Sequence, residues 1–462
     1  MATTPSGPSA QRRPDSAGNG ARSPKKSAAA VIALCFVAIV FDGYDLVIYG
    51  AIVPSLLEYE PWGLTPVQAG AYGSYALAGM FAGALVAGYL TDVIGRRKVM
   101  LGSITSFSLL MVATAYAPTP ELFGLFRFLT GLGLGGVIPT AIAVTVEFSR
   151  PQRRNLNNAL MFSGYAVGGI LSALCAMALL EAIGFRGLLA IGGLPLVTVV
   201  PLLYILLPES PAYLRARGRP EEAARITEDY GLSPATEPAG AAGPPEGTPR
   251  KDNQFKAVLR GRWALATVLF CLAGIAGQTL VYGLNTWMPT LLVLADYSLT
   301  SSLSFLLTTN MGAVIGAVLS SRLADTFGPR YVTAVSFVFS GSALLLMGTG
   351  IFPLWAMYVL VAIVGFGSIG AQILINGFVA TYYTDTTRAT ALGVTLGIGR
   401  IGAVIAISGG GALVAAELSD FNNFAVWSAA ALVGVIAVLT VPAMRGNTDP
   451  SSPDLHKNRT KE

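Results

Sequence analysis

The chain has 462 residues, 53 % of them apolar or aromatic and only 12 % charged, with 53 glycines and a net charge of +5. Soluble domains carry about 25 % charged residues and about 7 % glycine, so the composition excludes an ordinary water-soluble domain and indicates a polytopic membrane protein. A bilayer crossing needs about 20 mainly apolar residues. Twelve such stretches are expected, at 28–54, 67–91, 99–118, 122–146, 157–180, 187–207, 263–292, 298–321, 331–350, 353–384, 389–416 and 422–444.

Basic residues test the topology, because cytoplasmic loops retain Lys and Arg. With twelve crossings and both ends inside, 27 of the 30 Lys and Arg fall on one face and only Arg186 on the other, while Arg127 and Arg400 lie inside segments. Both termini are therefore expected in the cytoplasm. The same bias accounts for the net charge, and no nucleic-acid partner is needed. Cys35, Cys175 and Cys271 all fall within apolar segments and the single histidine, His456, is in the polar C-terminal tail. Neither a zinc cluster nor a Ser-His-Asp triad can be assembled, so no metal or cofactor is expected and the chain does not read as an enzyme.

Residues 1–27 are rich in Pro, Ser, Gly and Arg and read as a disordered cytoplasmic tail rather than a secretory signal. The first segment carries Asp42 and Asp45 near mid-membrane, three residues apart and so on one face. A carboxylate at that depth is costly and calls for a use or a partner. Two acids a turn apart in low dielectric cannot both be comfortably ionised, which makes the pair a candidate proton carrier.

After the second segment comes Leu90-Thr-Asp92-Val-Ile-Gly95-Arg96-Arg97, and after the eighth Leu323-Ala-Asp325-Thr-Phe-Gly328-Pro-Arg330, at a constant offset of 233. An Asp at a helix end, a Gly where the chain turns and Arg beyond suit a cytoplasmic latch that pairs across the gap in one state and releases in another. The alternative is a solvated loop obeying the charge bias. In the fourth segment Arg127 lies near the outer end, where it either faces a vestibule and steers anions or snorkels to the interface. Gly131-Leu-Gly-Leu-Gly-Gly136 matches a dinucleotide fingerprint by letter, but in a membrane segment it reads as a close-packing face. Glu147 at the inner end is a gate or a packing charge.

Residues 208–262 are hydrophilic and Pro/Gly-rich in the middle and read as a cytoplasmic linker between halves of nearly equal length, 28–207 and 263–444. That near equality and the repeated loop indicate a duplication. In the second half Tyr282, Asn285, Asn310, Gln372 and Asn376, with Trp287, offer an apolar slot with donors and stacking walls; Trp287, before Pro289, also suits an interfacial belt. Arg400 lies mid-membrane in the eleventh segment. Unable to shed its proton, it must be balanced by a carboxylate, either Asp42 or Asp45 or that of a substrate held bidentately. Residues 445–462 form a second cytoplasmic tail.

Six plus six segments, with Gly88-Tyr-Leu-Thr-Asp92-Val-Ile-Gly95-Arg96-Arg97 between the second and third, resemble the major facilitator superfamily over residues 28–444. Asp42-Gly-Tyr-Asp45, Arg127-Phe-Leu-Thr-Gly131-Leu-Gly133-Leu-Gly135-Gly136-Val-Ile-Pro139 and Tyr282-Gly-Leu-Asn285-Thr-Trp287-Met-Pro289 are similar to the aromatic acid:proton symporters. The resemblance implies an all-α membrane protein of twelve helices in two pseudo-symmetric six-helix bundles. It implies proton coupling through the Asp42–Asp45 stretch, a matching arginine at 400 and an acid at 147. The expected activity is symport of protons with an aromatic carboxylate of the benzoate or hydroxybenzoate type across the cytoplasmic membrane, by a monomeric transport unit. Alternatives are another organic anion, a sugar or a drug as cargo, or a non-transporting membrane sensor.

Overall fold

The computed structural model describes residues 27–232, 258–259, 261–383 and 385–442. The expected tails, apart from Ser27, and the middle of the linker lie outside the described residues. The described chain is helical: α1 (Ala28–Leu57), α2 (Pro66–Ile94), α3 (Arg96–Ala115), α4 (Pro120–Gly135), α5 (Val137–Glu147), α6 (Arg154–Ile191), α7 (Val199–Leu206), α8 (Pro211–Ala216), α9 (Pro220–Asp229), α10 (Gly261–Leu294), α11 (Leu299–Phe327), α12 (Pro329–Gly348), α13 (Leu354–Tyr382), α14 (Asp385–Ala415) and α15 (Asp420–Thr440). Among the described residues eleven helical stretches are long and apolar enough to cross a membrane, with α4 and α5 counted as one, and a shorter apolar stretch, Leu194–Leu206, follows α6.

Three expected spans depart from single regular helices. The fourth is broken at Gly136, because Pro139 in the first turn of α5 has no N–H to continue the ladder from α4. The fifth and sixth form one run of helix with a kink at Gly184, whose φ of 65° and ψ of 178° suit only glycine. Beyond Ile191 the sixth crossing passes through a short 3-10 turn around Pro195 before α7 resumes. The chargeless run 331–384 does hold two crossings, parted between Gly348 and Leu354.

The duplication is visible in the helices themselves. α2 and α11 are each 29 residues long and α3 and α12 each 20, and both pairs begin 233 positions apart. The turns between them match as well, with Gly95 at φ 96°, ψ 156° and Gly328 at φ 85°, ψ 144°. Within the first half α1 packs on α6 and α2 on α4; within the second α10 packs on α14, α11 on α13 and α12 on α15. Small residues let the backbones meet: a Cβ on Gly131 would stand 1.9 Å from the Ala76 carbonyl oxygen of α2. The Gly131–Gly136 string is thus a packing face, with Gly131 and Gly135 against α2 and Gly133 against α3.

The main helix pairs joining the halves are α1 with α10, α2 with α14 and α6 with α11. Gly50 of α1 lies against the backbone of Asn285 and Thr286, Gly70 of α2 against that of Ile407 and Ser408, and Gly411 of α14 against Pro66. Ser74 and Ser408 are hydrogen-bonded across the seam. These contacts lie toward the face remote from the basic loops. Nearer the basic loops, Gly377 of α13 and Gly393 and Gly397 of α14 have open space beside them. The close glycine contacts between the halves thus lie toward the face remote from the basic loops.

Candidate functional site

The site forms where α1, α4, α6, α10 and α14 converge. Asp42 and Asp45 are both buried, at 2 % and 3 % exposure, but their surroundings differ. Asp45 Oδ1 accepts from Arg127 at 2.5 Å, and both side chains are almost fully enclosed. The guanidinium also lies 4.8 Å from the ring centroid of Tyr49, whose hydroxyl donates to the Ala69 carbonyl at 2.5 Å. One carboxylate thus has a fixed counter-charge inside the first half, supported by a cation–π contact. Asp42 has no such partner, and its Oδ2 is buried without a hydrogen bond. A narrow cleft touches Asp42, Asp45, Tyr49, Arg127, Tyr165 and Tyr282, among others.

Arg400, in the other half, lies close enough for its charge to act on Asp42, Tyr165 and Tyr282. Among the described residues no carboxylate forms an ion pair with it. The hydroxyls of Tyr165 on α6 and Tyr282 on α10 face one another beside Asp42, one from each half. A single uncommitted cation, an acid oxygen without a donor and two phenols therefore meet at the seam.

Several expected residues take other positions. Arg127 neither faces a vestibule nor snorkels: at 2 % exposure it is the partner of Asp45, because a carboxylate within reach in low dielectric outweighs a longer route to water. Arg400 consequently does not bridge to Asp45. Trp287 belongs to no interfacial belt. It is fully buried, donates its indole N–H to the Ile407 carbonyl at 2.9 Å and packs on Gly410, tying α10 to α14. Asn285 and Asn310 spend their amides on each other, at 3.2 Å, and on the carbonyls of Val281 and Leu306, so they join α10 to α11 rather than present free donors. Gln372 and Asn376 are half-buried on one face of α13, each with a carbonyl oxygen enclosed and unbonded.

At the basic face Glu147 pairs with Arg96 at 3.2 Å, within the first half. Beside it Glu209 accepts from the backbone N–H of Arg97 at 3.1 Å and of Ser210 at 2.9 Å, and its carboxylate fills the space next to Gly95. Asp92 and Asp325 are exposed and form no ion pair among the described residues, and Arg330 donates to the Leu439 carbonyl at the end of α15. Both loops are thus disengaged from the opposite half in this conformation.

Tyr49 and Tyr165 were not picked out from the sequence. Tyr49 had two signals, since it lies four residues beyond Asp45 on the same helical face and Tyr49-Gly50 repeats as Tyr282-Gly283 at the offset of 233. Tyr165 had none beyond its glycine neighbours, because a lone tyrosine in an apolar helix reads as core.

A sequence profile described as Major Facilitator Superfamily matches residues 35–407 and 301–461. The chain belongs to the major facilitator superfamily. Within that superfamily it is similar to the benzoate transport protein of Acinetobacter baylyi, 35 % identical over 442 residues that cover 93 % of each chain. It is also 35 % identical to the gentisate transporter of Corynebacterium glutamicum, covering 90 % of this chain and 87 % of that one. Among solved structures, the xylose transporter XylE from E. coli in a partially occluded inward-open conformation superposes with a TM-score of 0.71 at 18 % identity, covering 91 % of this chain and 99 % of the other. That likeness carries the two-bundle fold. The long relatives place the chain with the aromatic acid transporters of the superfamily, which are membrane carriers and not enzymes.

Proposed function

We propose that the chain imports an aromatic carboxylate of the benzoate or hydroxybenzoate type together with protons, by alternating access across the cytoplasmic membrane. The supporting observation is that an Arg400 without an ion-pair partner and an unbonded Asp42 oxygen lie near one another at the seam of the two halves. A guanidinium without a carboxylate in a low-dielectric cleft favours an anionic ligand. A carboxyl oxygen without a donor is a place where a proton can sit. Asp45, neutralised by Arg127, holds the first half's share of the cleft in shape, while Asp42 takes and gives the proton.

In this reading the acid anion enters from the face remote from the basic loops, docks on Arg400 between Tyr165 and Tyr282, and finds Asp42 protonated. Residues 28–207 and 263–444 then rock about the linker 208–262, and both cargoes leave at the basic, cytoplasmic face. Asp92 and Asp325 latch that face when it closes, and their exposure here suits the open state. One chain is the transport unit, and both termini are cytoplasmic.

Replacing Arg400 by Gln keeps hydrogen-bond donors but removes the charge that an anion needs. Arg400→Gln is expected to weaken benzoate binding by at least about tenfold, since losing one partner of a desolvated charge pair costs about 2–5 kcal/mol. Equilibrium dialysis of labelled benzoate against the purified protein measures this. Unchanged affinity would remove Arg400 from the site and undercut the reading.

A further inference from the structure

Gln372 is a polar side chain of the second half that the proposed carboxylate site leaves unused. It is half-buried on α13, and its amide oxygen is enclosed with no donor. That oxygen lies against α10 at Gly277, where a Cβ would stand only 2.4 Å from it, so the absence of a side chain at 277 is what gives the amide its place. Asn376, one turn further along the same face of α13, also has an enclosed oxygen without a donor.

The depth of this amide relative to Arg400 follows from the packing of α14 on α10. A Cβ on Gly399 would lie 3.4 Å from Gly274 and 3.6 Å from the Gln278 side chain, which sets Arg400 level with residues 274–278 of α10. Gly277 is within that stretch, so Gln372 and Arg400 stand at the same depth on neighbouring helices of one half. Tyr282, five residues on, is about 7.5 Å further toward the face remote from the basic loops. A carboxylate held by Arg400 and the two phenols therefore leaves the ring to extend past α10 toward α13, where the amide waits.

We propose that Gln372, set in place by Gly277, is the residue that recognises a ring hydroxyl and so discriminates hydroxylated benzoates from benzoate itself. This rests on the reading of the cavity as an aromatic acid site. A buried amide oxygen without a donor is unfavourable. A phenolic O–H supplies the donor when the acid is bound. A bare ring offers no donor and leaves the amide unpaired, which is how sites built to bond a hydroxyl reject the analogue lacking it.

The test is equilibrium dialysis of labelled benzoate, 3-hydroxybenzoate and 4-hydroxybenzoate against the purified full-length protein, read as the ratio of dissociation constants. Wild type is expected to favour one hydroxybenzoate over benzoate by about tenfold or more. Gln372→Leu, similar in size but without the amide, brings that ratio close to one. Gly277→Ala retains the glutamine but displaces its amide, and lowers the ratio too. A wild-type ratio near one, or a ratio unmoved by both variants, overturns the assignment while leaving the aromatic acid reading intact. Failure of all three acids to bind overturns both.

Discussion

Asp45→Asn is expected to be among the most damaging single substitutions in the chain. Asp45 and Arg127 are 2.5 Å apart and almost fully enclosed, so the variant leaves a guanidinium buried without its counter-charge. Breaking a buried pair from one side costs about 3–5 kcal/mol, and arginine cannot escape by losing its proton. The expected result is poor yield of folded protein and a thermal midpoint well below wild type in detergent. Arg127→Met combined with Asp45→Asn removes the orphan charge, and the double variant is expected to recover most of the stability. If Asp45→Asn alone unfolds at the wild-type temperature, the pair is not the structural element described here.

Asp42→Asn is expected to behave quite differently, because Asp42 has no ion-pair partner to abandon. The isosteric amide fits the same space, and the folded protein is expected in normal yield. What disappears is the site for the proton. In proteoliposomes the variant is expected to equilibrate labelled acid without concentrating it, and to lose the roughly tenfold driving force that each unit of pH gradient supplies to a one-proton carrier. Gradient-driven accumulation persisting in Asp42→Asn would move the proton to another residue.

The contrast between the two acids also marks how far the sequence could be read. Membrane class, twelve crossings, the half-way division and the loop repeat at an offset of 233 follow from hydropathy, charge and spacing, because each is a property of one segment or of two compared by letter. Asp42, Asp45 and Arg400 stood out for a related reason: an ionised group in an apolar stretch is expensive wherever its helix packs. Which charge faces which was not legible. Arg127 lies 82 positions from Asp45, and only the placement of the helices across the first half brings the two together. Trp287 and the Asn285–Asn310 pair were misplaced for the same cause, since a polar side chain in a span suits a cavity or a helix seam equally well until its neighbours are known. The helix break at Gly136 was hidden because hydropathy continues unbroken across it, whereas the kink at Gly184 falls in the gap expected between the fifth and sixth segments.

At the basic face the repeated loops fold alike but are held differently. Gly95 packs against Glu209 and Arg96 pairs with Glu147, whereas the loop at Gly328 has open space beside the glycine and Pro329 where the first has Arg96. The first loop is thus anchored in its own half by charge, and the second by the Arg330 contact to α15.

The central claim is that acid and proton move together. The most direct measurement is uptake of labelled benzoate and 4-hydroxybenzoate into proteoliposomes, with the outside more acidic than the inside and again with no gradient. Protein-free vesicles are carried alongside, because neutral aromatic acids also cross lipid unaided. Accumulation above the protein-free level that appears only with the gradient is the predicted result. Protein-mediated uptake indifferent to the gradient would contradict it.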